Sequence, residues 1–129
     1  MGSALGVKPP TGFVQSFRYA FCGIATAFKQ GRNIRVQAAI AVVALVAGLI
    51  VGLNALSWIA LILCVGSVLA AECFNTALED LVDLVSPEIH PLAKAVKDMA
   101  AGAVLLLSIA SLFVGIIVFG NAFSLCPFI

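Results

Sequence analysis

Five polar side chains recur within one apolar segment of the sequence, at intervals that would place them on one face of a helix. They are Glu72, Asn75, Thr76, Glu79 and Asp83. At 100° per residue the five fall within about 100° of one another, and Glu72 lies about 10 Å from Glu79 along the helix axis. Carboxylate and carboxamide oxygens suit hard cations such as Mg²⁺, which in turn hold the phosphates of a substrate. The spacing therefore indicates a functional site, but it does not state a reaction.

A second polar face follows a short break in the chain. Lys94, Lys97 and Asp98 stand at i, i+3 and i+4, which again is one face of a helix. Because so few residues separate the two helices, their polar faces can meet in an antiparallel pair. A lysine placed there would neutralise the oxygens of a phosphoryl group.

The composition shows what surrounds these two faces. A chain of 129 residues leaves room for one domain, residues 1–129. Hydrophobic residues make up 63% of it and charged residues 10%, against about 25% charged residues in soluble domains. So apolar a chain cannot cover itself with polar surface, and lipid must be part of its solvent. The net charge of +1 gives no reason to expect a nucleic-acid partner.

Long apolar stretches predict three membrane-spanning helices, since a helix needs about 20 residues to cross the hydrocarbon and satisfies its own backbone hydrogen bonds there. The stretches are residues 36–53, 55–78 and 91–119. The second is long enough only if it continues past Glu72, which puts this carboxylate near the lipid boundary. Pro87 and Pro91 end the second helix and begin the third. Gly48 and Gly52 form a GxxxG pattern, which marks either close helix packing or a span that tolerates glycine.

The basic residues orient these spans. All seven precede the first span or lie between the second and the third: Lys8, Arg18, Lys29, Arg32, Arg35, Lys94 and Lys97. By the positive-inside rule the N-terminus and the second connection are cytoplasmic, and the C-terminus lies outside. The six acidic residues fall on the same side, so the candidate site is expected at the cytoplasmic surface.

Ahead of the spans, residues 13–30 alternate apolar and polar side chains at near-helical spacing. Phe13, Phe17 and Phe21 supply bulky aromatics, while Arg18 and Lys29 are charged. This pattern predicts an amphipathic helix that lies in the membrane interface. A simple membrane anchor is the plainer interpretation of the same segment.

The polar residues also allow a purely structural interpretation, an interfacial collar of salt bridges. Glu79 would pair with Lys97 and Asp83 with Lys94. Such a collar leaves Glu72 unexplained, because no cation stands near it on its own helix. An ionisable residue at membrane depth costs about 2.5–3.5 kcal/mol on insertion scales and usually points into the bundle or a wet cavity.

The motif Glu72-Cys-Phe-Asn75-Thr-Ala-Leu-Glu79 is followed by Asp83 and by Glu88-Ile-His90-Pro-Leu-Ala-Lys94-Ala-Val-Lys97-Asp98. Together they closely resemble the signature of the prokaryotic diacylglycerol kinase and undecaprenol kinase family, over roughly residues 13–119. The segments that look closer to the undecaprenol kinase branch are His90-Pro-Leu-Ala-Lys94 and Ala101-Gly-Ala-Val.

The resemblance implies a homotrimer of three-span subunits in the bacterial inner membrane. Such an enzyme transfers the γ-phosphoryl group of ATP to a lipid alcohol, here most closely undecaprenol, with Mg²⁺ as cofactor. It implies that Glu72 is the general base, that Glu79 holds Mg²⁺ and that Asn75 supports the site. The nucleotide-binding residues it implies are Tyr19, Asn75, Glu79, Glu88, His90, Lys97 and Asp98.

The sequence departs from the family pattern at Gly31. Family members usually carry a glutamate before the pair that corresponds to Arg32-Asn33, and it serves as a second metal ligand. Its loss would weaken metal–nucleotide binding unless a neighbouring acid or a water substitutes. Other functions therefore stay open: a diacylglycerol kinase, a phosphatase for undecaprenyl phosphate that uses the same site, and a catalytically impaired membrane scaffold.

Overall fold

A computed structural model of the chain describes residues 12–124, and every regular element in this range is an α-helix. The helices are α1 (Phe13–Gln30), α2 (Arg32–Val51), α3 (Ala55–Val85) and α4 (Pro91–Ser124). The prediction of an all-α protein, with a shorter helix before three spanning ones, is confirmed. Lys8 lies outside the described residues, so its part in the orientation argument stays a prediction.

The three later helices are long and apolar enough to cross a bilayer. Their mean hydropathy is 2.4 for α2, 2.0 for α3 and 2.7 for α4, and at most 17% of their most apolar stretches is buried inside the chain. Large aliphatic and aromatic side chains are exposed along all three. Water-soluble monomers do not expose apolar surface on this scale. The chain is a membrane protein.

A tight turn joins α2 to α3. Gly52 ends α2 in the left-handed conformation, with φ 74° and ψ 53°, which glycine adopts without strain. Asn54 then caps α3, because its Oδ1 accepts a hydrogen bond of 2.9 Å from the Ser57 backbone N–H. At Gly48 an added Cβ would lie only 2.9 Å from Leu53 Cδ1. Gly48 therefore serves close packing at this turn, while Gly52 serves the turn itself.

The connection between α3 and α4 holds the two prolines. α3 continues past residue 78 to Val85, because the polar residues that follow are compatible with a helix and the stop comes only at Pro87. His90 caps α4, since its Nδ1 accepts a hydrogen bond of 3.1 Å from the Leu92 backbone N–H. Pro91 occupies the first helical position, where a missing N–H is harmless.

Gly31 alone separates α1 from α2, in an extended conformation. Arg35, in the first turn of α2, reaches back across this joint. Its Nη1 donates to the carbonyl oxygens of Phe28 at 3.2 Å and of Lys29 at 3.3 Å. These carbonyls belong to the last turn of α1, which has no partners of its own within the helix. Arg35 thus ties the short helix to the first spanning helix.

The spanning helices run alternately up and down, and α4 packs along α3 more extensively than any other described pair. The start of α2, the second half of α3 and the start of α4 consequently share one end of the bundle. The charged residues of these helices all lie there, and the uncharged turn at Gly52 lies at the opposite end. The one-sided polar chemistry expected from the sequence is present in the fold.

Candidate active site

The two buried polar side chains in residues 12–124 both come from α3. Glu72 is 4% exposed and Asn75 is 7% exposed. They face inward because the buried positions of α3 follow one helical stripe, which begins at Leu61 and continues through Val68. Burying two polar residues at the end of an apolar stripe lowers stability. Residues of this kind are usually retained because they serve a function.

Asn75 is hydrogen-bonded to the second glutamate of the motif, one turn further along α3. Its Nδ2 donates a hydrogen bond of 3.0 Å to Glu79 Oε1. Its Oδ1 is fully buried and has no hydrogen-bond partner among the described residues. A buried carbonyl oxygen without a donor costs about 1–3 kcal/mol. This atom is therefore well placed to accept from a ligand or to coordinate a cation.

This arrangement fits Mg²⁺, which takes oxygen ligands and is commonly bound through one or two carboxylates together with substrate phosphates. The unpartnered Asn75 Oδ1 and the Glu79 carboxylate are two such oxygen donors on adjacent turns of α3. No group of three His, Cys, Asp or Glu side chains with metal-site geometry occurs in residues 12–124. The remaining ligands would thus come from phosphate oxygens and water.

The salt bridges differ from those expected of an interfacial collar. Lys97 of α4 pairs with Asp83 of α3 at 2.5 Å, and Lys94 pairs with Asp98 one turn further along its own helix. The predicted pairs Glu79–Lys97 and Asp83–Lys94 are therefore wrong, because the α3–α4 register sets Lys97 opposite Asp83. Asp83, Lys94 and Asp98 are exposed, so these pairs add little to stability. Glu79 takes part in neither pair and keeps its bond to Asn75.

The other predicted nucleotide residues lie around this cluster without a direct bond to it. Glu88 and His90 belong to the α3–α4 connection, where the Glu88 carbonyl oxygen accepts from the Ser86 hydroxyl and His90 caps α4. Tyr19 is exposed on α1, and its Oη accepts from Gln15 Nε2 at 3.3 Å. Among the described residues, the structure joins Asn75 to Glu79 and places Glu72 beside them. No hydrogen bond links these three to Tyr19, Glu88 or His90.

Gly31 lies directly against the polar face of α3. An added Cβ there would be 3.5 Å from Thr76 Oγ1, 3.0 Å from the Ala27 carbonyl oxygen and 3.1 Å from Ile34 Cγ2. A side chain at this position would thus point toward the turn that carries Asn75 and Glu79. The glycine leaves that side of the cluster without a carboxylate, and a larger residue would have to displace its neighbours slightly.

Two polar residues outside the sequence motif meet between the spanning helices. Gln37 of α2 donates through Nε2 to the Ser108 hydroxyl of α4 at 3.3 Å, and this hydrogen bond joins the first and third spanning helices. The only signal for them in the sequence is that each is an isolated polar residue in an apolar span. That signal does not show which helices bring them together.

A sequence model of the family described as prokaryotic diacylglycerol kinase matches residues 18–119. The chain belongs to this family. The resemblance inferred from the α3 and α4 motifs is thereby confirmed, and the chain is placed among membrane-embedded kinases, which are enzymes of phosphoryl transfer.

Three relatives within the family share substantial identity with the chain. An undecaprenol kinase of Bacillus subtilis is 39% identical over 107 residues, which cover 83% of this chain and 87% of the relative. A diacylglycerol kinase of Synechocystis is 45% identical over 101 residues, covering 78% of this chain and 58% of the relative. A diacylglycerol kinase of Sinorhizobium is 38% identical over 68 residues, covering 53% of this chain and 50% of the relative. Family membership thus establishes the kinase class, while the relatives differ in the lipid that their names state.

Proposed function

We propose that this protein is an ATP- and Mg²⁺-dependent lipid kinase that phosphorylates undecaprenol at the cytoplasmic surface of the bacterial inner membrane. The observation that carries the proposal is the burial of Glu72 beside the hydrogen-bonded pair Asn75 and Glu79, at the depth where the sequence predicts the lipid boundary. A carboxylate at this depth meets a lipid hydroxyl at the interface, while the phosphates of a nucleotide reach the cluster from the aqueous side.

Glu72 acts as the general base in this proposal. Its carboxylate accepts the proton of the lipid hydroxyl as the hydroxyl oxygen bonds to the γ-phosphorus of ATP. The bond from that phosphorus to the β–γ bridging oxygen breaks, and ADP leaves. Phosphoryl transfer of this kind depends mainly on positioning and charge neutralisation. A buried base next to a polar, solvent-accessible face satisfies the first requirement.

The second requirement falls to the residues around Glu72. Glu79, with Asn75 Oδ1, would hold Mg²⁺, whose charge offsets the negative charge on the β- and γ-phosphoryl oxygens. Lys97 contacts a phosphate after exchanging its exposed pair with Asp83 for the nucleotide. The remaining contacts to the nucleotide are proposed for Asp98, Glu88, His90 and Tyr19.

Two observations support undecaprenol as the lipid. The B. subtilis undecaprenol kinase matches this chain over 87% of its own length. The sequence of the α3–α4 connection and the first turns of α4 also resembles that branch. Diacylglycerol is the second candidate, because the Synechocystis diacylglycerol kinase is 45% identical over the matched region. Both lipids present a hydroxyl at the depth of Glu72. We also propose a homotrimer, which native mass spectrometry in detergent can measure directly.

Purified protein incubated with γ-labelled ATP and a panel of lipid alcohols tests the proposal. We expect label to enter undecaprenol faster than diacylglycerol, and Glu72→Gln to abolish incorporation with unchanged thermal stability. Asp80→Asn is the matched control, since Asp80 is an exposed carboxylate two turns further along α3. A chain that labels no lipid would refute the kinase proposal and leave the scaffold. Phosphate release from undecaprenyl phosphate without ATP would identify the phosphatase.

A further inference from the structure

Three basic residues surround the joint between α1 and α2. They are Lys29 in the last turn of α1 and Arg32 and Arg35 in the first turn of α2. All three are exposed, and none forms a salt bridge with an acid in residues 12–124, whereas both lysines of α4 do. The sequence has no aspartate or glutamate before Glu72, so α1 and α2 carry no acid of their own. The three joint cations are therefore an uncompensated positive patch.

The helical repeat turns Lys29 and Arg32 away from the bundle. Ala27 is the buried residue of α1, and Ile34 is a buried residue in the first turn of α2. Each cation lies two positions from the buried residue of its own helix, which is a rotation of about 200° and therefore nearly the opposite face. Ala27 and Ile34 both line the groove against α3. The two cations consequently face away from α3 and from the candidate active site.

Arg35 completes the patch from a fixed position. Its Nη1 donates to the carbonyl oxygens of Phe28 and Lys29, which anchors the guanidinium at the end of α1. A guanidinium carries five N–H groups, so at least three of them make no hydrogen bond within residues 12–124. This planar arrangement of donors matches the oxygens of a phosphate group, which arginine often binds through two parallel hydrogen bonds.

The joint also lies at the right depth for a lipid phosphate. α2 begins at Arg32, directly after the joint, and its uninterrupted apolar stretch follows within two turns. The joint cations are thus at the entry to the hydrocarbon, where lysine and arginine are attracted to anionic lipid headgroups. We propose that Lys29, Arg32 and Arg35 form a binding site for the phosphate of an anionic phospholipid, on the outward face of the α1–α2 joint. This site is separate from the proposed kinase chemistry.

Native mass spectrometry of the purified full chain in detergent tests the proposal by titration with dioleoyl phosphatidylglycerol or dioleoyl phosphatidylcholine, whose phosphate is neutralised by its own choline. We expect phosphatidylglycerol to bind at least about 10-fold tighter. The double variant Lys29→Gln/Arg32→Gln should lose about 5-fold in this affinity per cation removed, which corresponds to about 1 kcal/mol each, with the phosphatidylcholine affinity unchanged. Equal affinities in the wild type, or an undiminished preference in the double variant, would overturn the proposal.

Two other cations distinguish a site from general attraction to charge. Arg18 lies 11 residues before Lys29 on α1, about 16 Å along the axis and beyond the Debye length of about 10 Å in 0.1 M salt. Lys94 is on α4 and already pairs with Asp98. Arg18→Gln and Lys94→Gln should each leave the phosphatidylglycerol affinity unchanged. A loss in either control equal to that in the double variant would show diffuse attraction and overturn the site.

Two measurements on the wild-type protein need no variant. The preference for phosphatidylglycerol should fall as ammonium acetate is raised, because salt screens exposed charges, and a preference that ignores salt would overturn the proposal. Neither ATP nor inorganic phosphate should displace the lipid, since the cations face away from the candidate site. Displacement by either would refute a lipid site. Binding is measured without turnover, so a chain that phosphorylates no lipid alcohol would refute the proposed function and leave this inference intact.

Discussion

At the scale of single residues, Asn75 differs from its neighbours on α3 because one of its polar atoms is buried and unpartnered. An unsatisfied buried oxygen lowers stability, and it is retained where a ligand satisfies it. The same residue supplies the donor that orients Glu79. An apolar residue at position 75 would therefore favour stability, whereas ligand binding would favour asparagine.

Replacement of Asn75 by leucine, which has the same number of heavy atoms and the same branch at Cγ, tests this conflict. We expect the free energy of unfolding to change by no more than about 1 kcal/mol or to rise, since the unsatisfied oxygen is removed. The affinity for Mg·ATP should fall at least about 10-fold. Thermal unfolding in detergent and the KM for Mg·ATP report the two effects. A large loss of stability with unchanged nucleotide affinity would show that Asn75 is structural.

Gly31 is the second position at which a residue-scale measurement is decisive. Gly31→Glu should lower the apparent Mg²⁺ requirement about 10-fold, because it returns a carboxylate to the side of the cluster that faces Thr76. Gly31→Ala is the control, since it introduces the same close contact with the Ala27 carbonyl oxygen without a charge. An unchanged Mg²⁺ requirement in Gly31→Glu, or an equal shift in Gly31→Ala, would contradict this account.

Residue chemistry was predictable from the sequence where it depends on spacing along one helix. The shared face of Glu72, Asn75 and Glu79 follows from the helical repeat, and the structure buries the first two. Contacts between helices were not predictable in the same way. The pairing of Lys97 with Asp83, and the approach of Gln37 to Ser108, depend on the register of neighbouring helices, which side-chain packing determines.

At the scale of elements, the joint between α1 and α2 is the shortest connection in the described chain. A single extended residue separates the two helices, and the hydrogen bonds from Arg35 to Phe28 and Lys29 hold them together. Besides its packing against α3, α1 is held to α2 by these two bonds across a one-residue joint.

Arg35→Leu should release α1 from α2. We expect amide exchange in the last turn of α1 to accelerate about 3- to 10-fold, which is the size of effect of losing a helix cap. Arg32→Leu is the control, because Arg32 is an exposed arginine in the same turn of α2 and makes none of the described hydrogen bonds to α1. Hydrogen exchange measured by mass spectrometry distinguishes the two variants. Similar acceleration in both would show that charge, and not the cap, holds α1.

The ends of the helices were predictable where the sequence contains a residue that terminates or begins a helix. Gly52 and Asn54 mark the α2–α3 turn through their own backbone and side-chain chemistry, and Pro91 marks the start of α4. The end of α3 was placed at residue 78 because apolarity was used to define the span. A helix that leaves the membrane continues until its backbone is interrupted, which here occurs near Pro87.

At the scale of the whole molecule, the alternating helices gather every charge of α2, α3 and α4 at one end. The proposed orientation places that end in the cytoplasm, since cytoplasmic ends carry the excess of lysine and arginine. Cysteine labelling in a variant without the native cysteines tests it. We expect Asn54→Cys to react with an impermeant maleimide in intact cells and Ser86→Cys to react only after the membrane is opened. The reverse pattern would invert the topology and remove the active site from cytoplasmic ATP.

The length of α2 has a consequence for the choice of lipid environment. Its 20 residues span about 30 Å, which equals the hydrocarbon thickness of an average bilayer, whereas α3 and α4 have 31 and 34 residues. The turn at Gly52 limits α2 at one end, and the joint at Gly31, which Arg35 bridges, limits it at the other. In a thicker bilayer α2 is shorter than the hydrocarbon. Either the bilayer becomes thinner around the protein, or α1 and Glu72 move toward the hydrocarbon. Turnover should accordingly peak in phosphatidylcholine of intermediate chain length, and Arg35→Leu should flatten that optimum.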